Sequence, residues 1–212
     1  MAKVGVDSGY YGNERREIAR LVPLSALTIL DVGCGKGMLG KLLKSSVNER
    51  KVYGVEYEPS IANEATKVLD GVLTGDVQTM TISFPMDYFD CLIFADILEH
   101  LLDPVAVLRK FKPHLKKNGV ILCSIPNIRH YTTFLKVLKG WEYDDYGLFD
   151  RTHLRFFSLK TMEHLLHDSG FELEYYEPRE VASRKMRILN AICLNQMTDF
   201  LAFQYLLRAH PI

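Results

Sequence analysis

The chain has 212 residues, of which 48% are hydrophobic and 25% charged, with 26 basic and 26 acidic side chains. This composition is that of a globular protein, and a formal net charge of zero disfavours a nucleic-acid partner, because nucleic-acid binders usually carry a basic excess. The N-terminal segment lacks the apolar core of a signal peptide, and no apolar run approaches the ~20 residues of a membrane span. We therefore expect a cytoplasmic protein without a transmembrane segment.

Strand-like and helix-like segments alternate through the first 126 residues, which favours an α/β fold with a parallel sheet covered on both faces. A helix is expected within residues 10–22, followed by the buried strand "LTILDVG", the helix "KGMLGKLLKSS" and the strand "KVYGVEY". A helix starting at Pro59, a short strand "GVLTGD" and a strand at "FDCLIF" come next. The following helix has Asp103 as the expected N-cap, Pro104 in its first turn and Gly119 near its C-cap. The fifth strand is "VILCSIPN".

Residues 128–157 interrupt this alternation with a segment rich in aromatic and charged side chains, including Trp141. Open α/β sheets bind ligands at the carboxyl ends of their strands, so we expect this insertion to form a substrate-side cap. A helix with Ser158 as N-cap, the strand "FELEYYE" and a basic stretch follow. For "FLAFQYLLRA" we favour a closing strand over a helix. The predicted organisation is one domain over 1–212, with a cover helix in 1–24 and the cap at 128–157.

Four acidic residues lie at or beside the carboxyl ends of the first four predicted strands. They are Asp31, Glu56, Asp76 and Asp96, each about one strand-helix unit from the next. A single acid after a strand is more often a turn former. Four in series beside a glycine-rich loop indicate a ligand site, because the carboxyl ends of parallel strands line one edge of the sheet.

The loop "GCGKGMLG" contains a G-x-G-x-x-G pattern in Gly35, Gly37 and Gly40, which is typical of dinucleotide binding. Asp31 would place negative charge near a pyrophosphate, which disfavours a nicotinamide dinucleotide. S-adenosylmethionine carries no phosphate and presents an ammonium, a sulfonium, ribose hydroxyls and an adenine amino group. Asp31 suits the ammonium and Glu56 the ribose, while Asp76 suits the adenine amino group and Asp96 the methionyl end. The acids therefore predict S-adenosylmethionine.

The segments "ILDVGCGKG", "VYGVEYEP", "LTGDVQ" and "FADILEHLLDP" resemble, in order and spacing, those of class I S-adenosylmethionine-dependent methyltransferases. The resemblance implies a Rossmann-like, doubly wound sheet of seven strands in the order 3-2-1-4-5-7-6, with strand 7 antiparallel. It also implies S-adenosyl-L-homocysteine as product. The cofactor-binding residues implied are Tyr11, Asp31, Gly33, Gly35, Gly37, Glu56, Tyr57, Asp76, Val77 and Asp96. Gly40 is expected to serve helix packing instead.

The second half, with "SIPNIRHY" and "LFDRTHLRFFS", is similar to a small bacterial branch of type 11, 12 and 23 methyltransferases linked to surface polysaccharide or sugar modification. This implies a small-molecule acceptor, with a hydroxyl of a sugar or glycan precursor as the methylated group. An amine acceptor, a macromolecular acceptor and a non-catalytic S-adenosylmethionine-binding module remain alternatives, and a homodimer is left open.

A hydroxyl acceptor benefits from a general base, for which histidine is the usual choice. Three histidines are candidate catalytic residues: His100, which would share a face with Asp96 if that segment were helical, His130 after the fifth strand, and His153 in the cap. The alternative for each is a hydrogen-bonded structural histidine. No metal site is expected, because no tight cluster of histidines and carboxylates is visible along the chain.

Overall fold

A computed structural model describes residues 14–145, 147–180, 184–194 and 196–212. Tyr11 and most of the expected cover helix lie outside these residues. The seven strands are β1 (Thr28–Val32), β2 (Lys51–Glu56), β3 (Gly71–Thr74), β4 (Phe89–Ala95), β5 (Leu115–Pro126), β6 (Phe171–Glu180) and β7 (Ala202–Pro211). They form one sheet in the order β3-β2-β1-β4-β5-β7-β6, with β7 antiparallel to β6, which confirms the predicted fold.

Eight helices are described: α1 (Arg16–Ala19), α2 (Met38–Ser46), α3 (Pro59–Ala65), α4 (Pro104–Phe111), α5 (Tyr131–Leu138), α6 (Leu159–Asp168), α7 (Arg184–Ile192) and α8 (Thr198–Leu201). Two helix starts agree with the sequence. The Asp103 carboxylate accepts a hydrogen bond from the Ala106 amide at 2.9 Å before α4. Ser158 and Thr161 form a reciprocal capping box at the start of α6. Among the described helices, none has the length and apolarity needed to cross a membrane.

Two local predictions are wrong. Gly119 lies inside β5 and does not end α4, which stops at Phe111 and continues only as a 3-10 turn over Lys112–His114. Pro113 explains the early stop, because proline lacks the amide hydrogen that would extend an α-helix. The segment from Asp96 to His100 is also not an α-helix: only Leu98–His100 is helical, and as a 3-10 turn. Asp96 and His100 therefore do not lie on one face of an α-helix.

β1 lies between β2 and β4 and is parallel to both. In this buried strand, Asp31 pairs with Gly54 of β2 on one side and with Ile93 of β4 on the other. The chain divides into two compact units. Unit 1 runs to Ala95 and includes Phe111–Leu122, and unit 2 consists of Asp96–Lys110 and Cys123–Ile212. Unit 1 carries the glycine-rich loop, and unit 2 carries residues 128–157.

Candidate active site

The glycine-rich loop after β1 has a backbone that favours glycine. Gly33, Gly35 and Gly37 have φ angles of 78°, 53° and 77°, in the left-handed region where a side chain is strained. The Gly33 amide donates to the Val55 carbonyl at 2.8 Å. The Gly35 amide donates to Oε2 of Glu56 at 2.9 Å. These bonds hold the loop against the carboxyl end of β2.

Asp31 is a buried carboxyl group, with only 3% of its surface exposed. Burial raises the pKa of Asp31 to about 7; Arg15 lowers it in part, and Glu56 raises it further. Ionised Asp31 is therefore costly in this environment and gains most from a cationic ligand. An ammonium group of S-adenosylmethionine would supply the missing positive charge, whereas a pyrophosphate would add negative charge. The residues of this loop fit the methyl donor.

Glu56 is also buried, and its carboxylate is oriented by two backbone amides. Besides the Gly35 amide on Oε2, the Glu58 amide donates to Oε1 at 3.1 Å. Each carboxylate oxygen can accept a second hydrogen bond, because an ionised carboxylate offers about four lone-pair positions. Glu56 can thus serve as an oriented acceptor for a pair of hydroxyls, which is the role predicted for it.

The residues predicted to contact adenine follow β2 and β3. Asp76 is half-buried in a turn, where Oδ1 accepts the Gln78 amide at 2.8 Å. Val77 is buried, at 7% exposed, and Tyr57 is 67% exposed. Val77 therefore offers a fixed apolar surface, whereas Tyr57 has a freely accessible ring. Their roles at the adenine remain predictions.

In unit 2, Asp96 adopts the left-handed region with φ 53°, which is uncommon for a residue with a side chain. Its amide donates to the Ser124 carbonyl at 3.0 Å, and its Oδ1 accepts the Ser124 hydroxyl at 2.7 Å and the Gln204 side-chain amide. Strained conformations of this kind often mark functional positions. Ser124 and Gln204 were not identified from the sequence as partners of this acid.

Two of the three predicted catalytic histidines meet in unit 2. The rings of His100 and His153 lie 4.6 Å apart between centroids, at an interplanar angle of 71°. Nδ1 of His100 lies 3.2 Å from the Thr152 carbonyl, and Nδ1 of His153 lies 3.0 Å from the Leu148 carbonyl. Burial lowers the pKa of His100, and so does the neighbouring His153, which favours a neutral His100 ring.

The third histidine has a different environment. His130 is buried at the start of α5, where its Nδ1 contacts the Thr132 hydroxyl at 2.7 Å and its ring packs against Tyr131 and Phe203. Burial lowers the pKa of His130. Among the described residues, its Nε2 has no hydrogen-bond partner. These contacts are those of a packed core side chain, and its catalytic role remains a prediction.

Sequence reasoning missed Glu99, which lies directly before His100 in the motif "DILEHL". Glu99 is 2% exposed, and one ligand atom from each of Glu99, His100 and His153 lies within 4.8 Å of the others. The adjacent pair Glu99–His100 was visible in the sequence. The position of His153 beside this pair depends on the tertiary structure of the segment that carries His153, which no local sequence pattern predicts.

Comparison with known proteins identifies the family of the chain. Residues 10–176 match the family model of a methyltransferase domain. A ubiquinone biosynthesis O-methyltransferase from Bradyrhizobium diazoefficiens is 32% identical over 133 residues, covering 60% of this chain and 51% of that protein. Another from Dinoroseobacter shibae is 28% identical over 162 residues, covering 74% of this chain and 64% of that protein. The chain thus spans only about half to two thirds of the length of these curated relatives.

A solved SAM-dependent methyltransferase from Archaeoglobus fulgidus has the same fold, with a TM-score of 0.67 and 19% identity over 95% of this chain and 96% of that one. The glycine loop, the buried Asp31 and the oriented Glu56 lie within the region matched by the family model. The chain therefore belongs to the methyltransferase-domain family, which implies S-adenosylmethionine as its cofactor.

Proposed function

We propose that the chain methylates a hydroxyl group of a small-molecule acceptor. The observation that carries this proposal is the pair of neighbouring imidazoles, His100 and His153, each fixed through Nδ1 by a backbone carbonyl. Oxygen acceptors need help to lose a proton, and a neutral, oriented imidazole provides it. The relatives named as O-methyltransferases also favour oxygen over nitrogen as the acceptor atom.

When bound, S-adenosylmethionine would supply an activated methyl carbon for the acceptor oxygen, and its sulfur would keep the electron pair of the broken carbon–sulfur bond. The chain's own residues bind, orient and deprotonate. Asp31 and Glu56 hold the charged and hydroxyl-bearing parts of the donor. The His100–His153 pair takes up the hydroxyl proton and passes it to solvent. Most of the rate enhancement comes from positioning and from excluding water.

The test measures S-adenosylhomocysteine formation with matched hydroxyl and amine acceptors, including sugars and phenols. His100→Ala should lower turnover by roughly 10²-fold, the usual worth of an acid–base group, while leaving the Kd of the cofactor within about threefold. The control is His167→Ala, because His167 is an exposed residue of α6. Full activity of His100→Ala, or faster turnover of amines, would contradict the proposal.

The sugar acceptor predicted from the resemblance remains a prediction, which the same acceptor panel addresses. A non-catalytic cofactor-binding module is the second candidate. It would gain support if the chain bound S-adenosylmethionine tightly and formed no S-adenosylhomocysteine with any acceptor.

A further inference from the structure

The cluster of Glu99, His100 and His153 has the composition of a metal site. One ligand atom from each residue lies within 4.8 Å of the other two. Two imidazole nitrogens and one carboxylate oxygen make up a common ligand set of catalytic zinc sites, which leave a fourth position open. Sequence reasoning excluded a metal because His153 lies far along the chain from the adjacent pair Glu99–His100, so that no cluster of ligands is visible in the sequence.

Both histidines have Nδ1 within hydrogen-bond distance of a main-chain carbonyl oxygen. A carbonyl oxygen can only accept, so the contacts with the Thr152 and Leu148 carbonyls place the hydrogen of each ring on Nδ1. In a neutral ring this leaves the lone pair on Nε2. Metal-binding histidines usually donate their second ring nitrogen to a carbonyl or carboxylate in this way.

The His100 ring is also held by a hydrogen-bond network that includes Thr152 and Asp150. The Thr152 hydroxyl lies 3.0 Å from His100 Nδ1 and donates to Asp150 Oδ1 at 2.6 Å. The Thr152 amide donates to the same carboxylate oxygen at 2.8 Å. This chain of imidazole, hydroxyl and carboxylate fixes the ring and increases the basicity of its free nitrogen.

The segments that carry the three ligands are joined before any ion binds. The Leu154 and Arg155 amides donate to the main-chain carbonyl of Glu99 at 2.8 and 2.9 Å. Around a tetrahedral ion with bonds of about 2.0–2.2 Å, ligand atoms stand roughly 3.3 Å apart. Side-chain movements of about 1 Å would therefore close the cluster around an ion, because the backbone already holds the two segments together.

We propose that Glu99, His100 and His153 bind one divalent first-row transition metal ion of the zinc type. The mixed nitrogen and oxygen ligands favour such an ion over Mg²⁺ and Ca²⁺, which prefer oxygen ligands throughout. If the proposed methyl transfer to a hydroxyl is correct, the open position would take the acceptor oxygen and lower the pKa of its hydroxyl, so that the ion would replace the two imidazoles as the group that promotes loss of the proton. This role rests on the proposed function, whereas binding of the ion does not.

The experiment uses the full chain without a polyhistidine tag, stripped of metal with a chelator. Titration with Co²⁺ followed by absorption spectroscopy reports tetrahedral coordination, and calorimetry with Zn²⁺ gives stoichiometry and Kd. One ion per chain is expected. His153→Gln and Glu99→Gln should each weaken Zn²⁺ binding by about 100-fold or more, and Thr152→Val by about 10-fold, as is usual for a group behind a ligand.

His167→Gln is the matched control and should leave the Kd unchanged, since His167 lies exposed on α6. Circular dichroism checks the folding of each variant. If Glu99→Gln does not fold, the half-buried His153 still tests the site. No binding to the wild-type chain, or binding that His153→Gln leaves unchanged, would overturn the proposal.

Two further measurements separate this inference from the proposed function. S-adenosylhomocysteine should bind the metal-free chain with unchanged Kd, because Asp31 and Glu56 belong to unit 1. Methyl transfer at full rate by the metal-free chain would overturn the role of the ion and leave the proposed function standing. Site-specific Zn²⁺ binding in a chain that methylates no acceptor would support the metal site and overturn the proposed function.

Discussion

An ionised carboxylate that is as deeply buried as Asp31 is costly for the protein without a ligand. In the unfolded chain its pKa is near 3.8, and in the fold burial raises the pKa to about 7. A carboxyl group with a raised pKa contributes stability at low pH and loses it as the pH rises from about 4 to about 7. Above pH 7 the folded protein carries an ionised carboxylate that Arg15 stabilises only in part and that a bound cation would stabilise further.

Asp31→Asn should therefore stabilise the cofactor-free protein at pH 8 while weakening cofactor binding. We expect Tm to rise by roughly 3–8 °C at pH 8, where the carboxylate is ionised in the folded wild type, and by a clearly smaller amount at pH 5, where only part of the loss has occurred. Thermal unfolding at both pH values measures this. Equal Tm changes at pH 5 and pH 8 would contradict the titration of Asp31.

The same change should weaken S-adenosylmethionine binding by roughly 30-fold or more, because the ammonium loses its buried countercharge. In the wild type, Kd should rise as the pH falls below 7, since Asp31 must lose its proton to pair with the ligand. Asp31→Asn should remove this dependence. Calorimetry between pH 5.5 and 8 tests it, and an identical pH profile in both proteins would disprove the assignment.

Glu56→Gln tests the second acid of the loop. The carboxylate accepts two backbone amides, and a glutamine amide can accept only one of them because its NH₂ group donates. We expect cofactor affinity to fall by about 10- to 100-fold and Tm to drop as well, since a buried amide left without an acceptor costs about 1–3 kcal/mol. Glu58→Gln, at the neighbouring half-buried acid, is the control and should change neither value appreciably.

At the scale of elements, the loop depends on close packing between α2, β2 and the segment after α3. A Cβ atom on Gly40 of α2 would lie 2.3 Å from Leu69 and 3.0 Å from Val52, so Gly40 serves packing as predicted. Gly37, which is predicted to bind the cofactor, also has a packing role, because a Cβ there would approach Val68 to 2.7 Å. The glycine spacing therefore has two physical causes, which are backbone conformation and contact between elements.

Gly40→Ala should destabilise the protein even though alanine is the better helix former. The gain in helix propensity is at most about 1 kcal/mol, whereas overpacking a buried contact costs about 1–3 kcal/mol. We expect a net loss of roughly 1–2 kcal/mol in the free energy of unfolding, measured by urea denaturation. Lys41→Ala on the exposed side of the same helix is the control and should stay within about 0.5 kcal/mol. If the Gly40→Ala variant were more stable than the wild type, Leu69 and Val52 would have to move enough to accept the added methyl group, which would contradict the prediction.

At the scale of the whole molecule, cofactor binding should raise thermal stability and protect one region from hydrogen exchange. A ligand at 100 times its Kd stabilises the native state by about 2.7 kcal/mol, which corresponds to a Tm increase of roughly 5–10 °C for a chain of this size. Exchange protection by S-adenosylhomocysteine should be largest at residues 31–37 and around Glu56. Protection confined to unit 2 would show that the ligand binds elsewhere.

Most of the fold could be predicted because its signals are local. Apolar strands, the proline at the start of α3 and the caps at Asp103 and Ser158 each depend on neighbouring residues. The errors also have local causes. Pro113 ends α4 early, and the left-handed conformation of Asp96 places this residue outside any α-helix. Neither effect changes the hydrophobic pattern from which the prediction was made.

The amino-acid sequence alone determined the order of strands and helices, the glycine loop and the acids Asp31 and Glu56, because residue type and short-range spacing encode them. Only the tertiary structure decided that His153 meets Glu99 and His100, and that Gln204, 108 residues along the chain, binds Asp96. Such pairings depend on where the chain returns after an insertion or a strand crossover. Burial is the other tertiary effect: it turns Asp31 from an ordinary acid into one with a pKa of about 7, suited to a cation.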